Sequence, residues 1–156
     1  MEGKRKKRAR PPEKQAPKEQ FKAHGRTLPF QGPEAVDTGA LECFDYEYAH
    51  TEAGRNAEIV TTTDEFTSVC PFSGLPDFAR VTISYTPGEK CIELRSLKYY
   101  LMSYRNVGIW YEHLVNKMLE DLVKVAEPRW MEVEIEVNPR GGLSSTVRAE
   151  YVGEEE

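Results

Sequence analysis

Residues 68–79, SVCPFSGLPDFA, hold a thiol and a carboxylate seven positions apart, with Gly74 and Pro76 between them. Pro71 lacks a backbone N–H and biases the residue before it toward an extended conformation, so Cys70 belongs to a loop and not to a helix interior. A loop that folds back on itself brings Cys70 and Asp77 together. A thiol becomes a good nucleophile only as the thiolate, and a neighbouring carboxylate can accept its proton. The residues alone leave four readings open: a small buried hydrophobe, half of a disulfide, a metal ligand, or a nucleophile partnered by Asp77. Catalytic cysteines usually keep a histidine close, and His24, His50 and His113 form no Cys-His motif.

A second candidate lies in residues 91–106, CIELRSLKYYLMSYRN, where Arg95, Lys98 and Arg105 alternate with Ser96, Tyr99, Tyr100 and Tyr104. Basic charge beside hydroxyls and aromatic faces suits an anionic, ring-containing ligand such as a nucleotide; it equally suits a helix face that balances an acidic domain. Arg140, followed by Gly141 and Gly142, can approach a phosphate or simply turn the chain. The sequence contains no GxGxxG and no GxxxxGK[ST], so any dinucleotide must be held without a standard Gly-rich loop. HExxH and metal-spaced Cys/His clusters are missing too. Cys43, Cys70 and Cys91 are odd in number and form no CxxC pair, which argues against a disulfide framework and fits a reducing compartment.

The elements that must position these residues follow from composition and periodicity. With 156 residues, 39% hydrophobic and 30% charged, the chain is long enough for one domain with a real core. The net charge of -5 hides a split: residues 1–26 hold ten Lys/Arg and three Glu, the remainder eleven Lys/Arg and 23 Asp/Glu. Residues 1–26 are polar and nearly free of apolar side chains, which predicts a disordered basic tail ahead of a domain over 27–156. Such a tail can touch nucleic acid without specificity, or dock on its own acidic domain. No run approaches the roughly 18 apolar residues of a membrane span, and no apolar stretch follows the N-terminal basic residues, so a cytoplasmic protein without a secretory leader is expected.

Alternation predicts strands at 57–63, 79–86, 130–137 and 145–152. A short helix is expected over 96–104. From Tyr111 the period changes: Leu114, Val115, Met118, Leu119, Leu122 and Val123 recur at three and four, an amphipathic helix that Pro128 stops. The fold class is therefore α+β, a mostly antiparallel sheet with helices packed on one face. Its sheet edges must be blunted or paired, which favours oligomerisation through the sheet.

Read together, SVCPFSGLPDFARVTISYTPGEKCIELRSLKYYLMSYRN, then GIWYEHLVNKMLEDLV, then NPRGG, resemble the NADPH-dependent 7-cyano-7-deazaguanine reductase family (QueF) in its short, single-module form. The resemblance runs from about residue 57 to 152 and leaves the basic tail outside. It implies the tunnelling fold, with subunits joining their sheets into a barrel, a decamer, and ligand sites at subunit interfaces. It implies reduction of the nitrile of preQ0 to the aminomethyl group of preQ1, in queuosine biosynthesis for tRNA, with NADPH as co-substrate and no metal in the chemistry. Carried over by position, Cys70 is the nucleophile that forms a thioimide and Asp77 the proton donor. Ile92, Glu93, Leu94, Tyr111 and Glu112 contact substrate, and Arg95, Lys98 and Arg140 bind NADPH. Two positions depart from the family pattern: Arg95 stands where Lys is common, and Tyr111 where some members have His. Two other readings stay open, a zinc-dependent GTP cyclohydrolase-like enzyme of the same fold and a non-catalytic nucleic-acid binder using the tail.

Overall fold

The computed structural model describes Arg26 and residues 28–153. The expected basic tail thus lies outside the described residues except for Arg26. The main sheet has four antiparallel strands in the order β2-β3-β5-β6: β2 (Ile59–Val69), β3 (Pro76–Thr86), β5 (Trp130–Arg140) and β6 (Leu143–Val152). A small antiparallel pair, β1 (Cys43–Asp45) and β4 (Lys90–Ile92), lies apart from it. Three α-helices complete the chain: a single turn α1 (Glu52–Arg55), α2 (Leu94–Met102) and α3 (Tyr111–Ala126).

Alternation in the central strands sets the core. Val81, Ile83 and Tyr85 of β3 face the same way as Met131, Val133, Ile135 and Val137 of β5, and all are buried. The register places Val81 opposite Ile135 and Ile83 opposite Val133, so the apolar rows meet side by side. Leu114, Val115, Met118, Leu119 and Leu122 of α3 bury their stripe in the same cluster. The helix stops where Glu127 turns into the left-handed region at φ 46°, one residue before Pro128. Gly141 and Gly142, at φ 56° and 80°, form the two-residue link between β5 and β6, a turn that needs positive φ at both positions.

Several elements differ from the sequence expectations. The strand expected over 57–63 continues to Val69, past an irregularity between Thr63 and Phe66. β3 begins at Pro76 and not at Ala79, so Asp77 sits in a strand; Pro76 is tolerated as a strand's first residue. α2 starts two residues early because the Glu93 side chain accepts hydrogen bonds from Arg95 N and Ser96 N, at 3.0 and 2.7 Å, and caps it. After Met102 it tightens into a 3-10 turn over Ser103–Asn106. The β1–β4 pair was not expected, since three-residue strands carry no readable alternation.

Candidate active site

The turn after β2 shapes the thiol. Gly74 N donates to Cys70 O at 2.8 Å and Cys70 N to Leu75 O at 2.9 Å, which closes residues 70–75 into one tight turn. Pro71, second in that turn, has no N–H to leave unsatisfied. Gly74 has φ 70°, and a Cβ there would lie 2.5 Å from Leu28 O, so conformation and space both demand glycine. Burial pushes the Cys70 thiol up, but hydrogen bonds from the Ser73 side chain and the Ser73 and Phe72 backbones outweigh it. The negative charge of Asp77 works against them, and the net result holds the thiol below its ordinary value. The thiolate sits over a small nest of donors.

Asp77 stands on β3 opposite Ser68, and both are buried, at 5% and 1% exposure. Arg140, the last residue of β5, places its Nε 3.0 Å from Asp77 Oδ1 and donates from Nη2 to Pro76 O at 3.1 Å. The guanidinium N–H is not aimed at Oδ1, which is left buried without a hydrogen bond. The third arrival is Tyr111, which opens α3. Val69 N donates to Val107 O at 2.9 Å and Ile109 N to Val69 O at 3.2 Å, which ties the approach to α3 against the end of β2. The Tyr111 hydroxyl lies beside Asp77; burial first, and then the aspartate, push it well above its ordinary value, with Arg140 opposing. Tyr111 is thus a neutral phenol across the physiological range. Glu112 follows in the first turn of α3, exposed.

Four of the expected site residues therefore converge: Cys70, Asp77, Tyr111 and Arg140, with Glu112 adjoining. The others lie elsewhere. Ile92, Glu93 and Leu94 line a cleft of about 500 Å³ with Phe44, Ile59 and Val60, at the start of β2. β2 has eleven residues; at about 3.3 Å per residue it puts that cleft and Cys70 at opposite ends of a strand roughly 33 Å long. Arg95 is exposed, and Lys98 pairs with Glu65 at 3.3 Å. Lys98 and Arg105 line a second groove, about 240 Å³, between β2 and α2. Ser73 is the functional residue that sequence reasoning missed. Its signal was a hydroxyl three residues after a cysteine followed by proline, the spacing at which a side chain meets the opening of a turn.

The comparisons with known proteins bear on what this arrangement serves. Residues 76–156 match the family described as QueF-like protein. An NADPH-dependent 7-cyano-7-deazaguanine reductase from Caldicellulosiruptor bescii is 52% identical over 126 residues, covering 81% of this chain and 93% of the relative. The chain belongs to this reductase family. A second member, from Chlorobaculum tepidum, is 48% identical over 111 residues, covering 71% of this chain and 92% of its own. Among solved structures, the archaeosine synthase QueF-Like in its apo form superposes with a TM-score of 0.55 at 26% identity, covering 64% of this chain and 95% of that one. Among the described residues, no three His, Cys, Asp or Glu side chains gather into a metal-binding group. The family's NADPH suits what is present: Arg140 and the groove cations Lys98 and Arg105 supply positive charge of the kind that phosphates take.

Proposed function

We propose that this protein reduces the nitrile of preQ0 to the primary amine of preQ1, with Cys70 as nucleophile and Asp77 as proton carrier. The observation that carries the reading is the Cys70 thiol, lowered by Ser73 and Phe72 donors, on a turn that faces a buried carboxylate. A nitrile accepts hydride poorly. When Cys70 sulfur bonds to the nitrile carbon, the C≡N bond becomes C=N and nitrogen takes a proton. The proton leaves the thiol and reaches nitrogen by way of Asp77, so the addition is neutral overall. The thioimide so formed is a better hydride acceptor, and the four-electron reduction divides into two easier ones. NADPH, when bound, supplies one hydride to each. Between them the C–S bond breaks, its electron pair returns to Cys70, and the donors that favour the thiolate make it a good leaving group.

The remaining roles follow the chemistry of each side chain. The Glu112 carboxylate accepts from the ring N–H and exocyclic amine of the deazaguanine. Tyr111, held neutral, offers an O–H donor where a histidine in its place could carry charge. Arg140, Arg95 and Lys98 take the cofactor phosphates. The separation along β2 requires Ile92, Glu93, Leu94, Arg95 and Lys98 to serve a neighbouring subunit's Cys70. The exposed side chains Val60 on β2 and Leu143 and Val152 on β6 fit sheet-edge pairing between subunits. Such pairing closes the tunnelling-fold barrel, in a decamer.

The test is intact mass spectrometry of the reduced protein mixed with preQ0 alone. An adduct on the wild type that is lost in Cys70→Ala is expected, followed by consumption of two NADPH per amine when cofactor is added. An adduct that persists in the variant, or maps to Cys43 or Cys91, overturns the nucleophile.

A further inference from the structure

Arg140 faces two anions in the proposed reaction, the carboxylate 3.0 Å from its Nε and the cofactor phosphate it is to hold. One guanidinium serves both poorly. Its present partners are Asp77 and Pro76 O, and it is itself 45% exposed on the side chain, against 4% for Asp77. The ion pair is therefore asymmetric: the cation can swing toward solvent and the anion cannot. Asp77 Oδ1 receives no aligned hydrogen bond, so nothing locks the two together.

We infer that Arg140 exchanges Asp77 for the NADPH phosphate, so that cofactor binding is coupled to proton uptake by Asp77. The inference rests on the functional reading above. A buried carboxylate that loses its cation gains affinity for a proton, because burial opposes its charged form. Besides Arg140 of β5, the groups facing Asp77 are Tyr111 of α3 and Cys70 of the turn after β2. Tyr111 is neutral and Cys70 tends to negative, so neither replaces the lost positive charge. The consequence for catalysis is order: Asp77 becomes an acid once the hydride source is in place, when nitrogen needs a proton. Before that, as a carboxylate, it is the base that takes the proton from Cys70.

Linkage makes this measurable, since a proton taken up on binding tightens binding as pH falls, and the coupling is reciprocal. For one proton the NADPH dissociation constant rises by up to tenfold per pH unit. The experiment is calorimetric titration of the full protein with NADPH from pH 7 to 9, in buffers of different ionisation enthalpy. This range lies above the phosphate's second pKa of about 6, so the ligand holds its charge. The wild type is expected to take up a proton and lose affinity with rising pH. Asp77→Asn is expected to bind without uptake and with a flat profile, while Cys70→Ala keeps the slope. Arg140→Gln binds more weakly, also with a flat profile. A flat wild-type profile overturns the inference, as does a slope that survives Asp77→Asn or vanishes in Cys70→Ala. Adduct formation with preQ0 alone is independent of NADPH: if it occurs while proton uptake is absent, the exchange fails and the nitrile chemistry stands.

Discussion

Cys70 is reactive because of its neighbours at the scale of single bonds. Ser73 and Phe72 hold its thiol below the ordinary value, whereas burial pushes the thiols of Cys43 and Cys91 up. A lowered thiol is thiolate above its own reduced pKa, and that advantage disappears as pH falls through it. Ser73→Ala removes the side-chain donor and should shift the alkylation profile of Cys70 to higher pH. Iodoacetamide labelling, read by peptide mapping, should be several-fold slower near pH 7 and equal to wild type once the thiol is fully ionised. An unchanged profile would show that the backbone donors suffice without Ser73. At this scale the sequence was partly legible. Pro71 and Asp77 were visible beside Cys70, but the Asp77–Arg140 pair joins residues 63 positions apart and follows from strand pairing that no local spacing announces.

Helices α2 and α3 were legible from their periodicity, but what ties them together was not. Tyr100 and Tyr104 were read as aromatic faces for a ligand; both are fully buried, and their hydroxyls meet at 2.8 Å. Tyr100 donates to Asp121 Oδ2 at 2.7 Å, and Lys117 Nζ reaches the same oxygen at 3.0 Å. Burial pushes both phenols far up, so they stay neutral donors. The network joins the helix bearing Arg95 and Lys98 to the one bearing Tyr111 and Glu112. Tyr100→Phe leaves the Tyr104 hydroxyl and one carboxylate position without a buried partner. It should lower stability by about 1–3 kcal/mol, the penalty for an unsatisfied buried polar group. Urea unfolding at fixed protein concentration measures it; a loss below about 0.5 kcal/mol would mean that water replaces the hydroxyl. Periodicity marks which face of a helix is buried, but a buried tyrosine and a ligand-stacking one present the same letter at the same spacing.

For the whole molecule, the geometry of β2 decides how many chains make a site. Cys70 follows its last residue, and the cleft of Ile92, Glu93 and Leu94 is lined by its first, Ile59. A ligand the size of a deazapurine cannot touch both ends of a strand roughly 33 Å long. If both sets serve one reaction, they come from different copies of the chain. The sequence showed the two sets and their residue types, but not that the fold holds them apart, because strand length alone does not say which end α2 begins at. The prediction is subunit complementation. Cys70→Ala and Lys98→Ala should each be inactive or severely impaired as pure oligomers. Dissociated, mixed and reassembled, they should regain activity, because some interfaces then pair an intact Cys70 with an intact Lys98. For a simple two-chain site in an equal random mixture, about a quarter of interfaces carry both wild-type residues, which sets the recovery expected from symmetric pairing. Mixing without reassembly is the control and should recover nothing. No recovery from mixed oligomers of confirmed composition would place Lys98 and Cys70 in the same chain's site, and would require α2 to move along β2 to reach it.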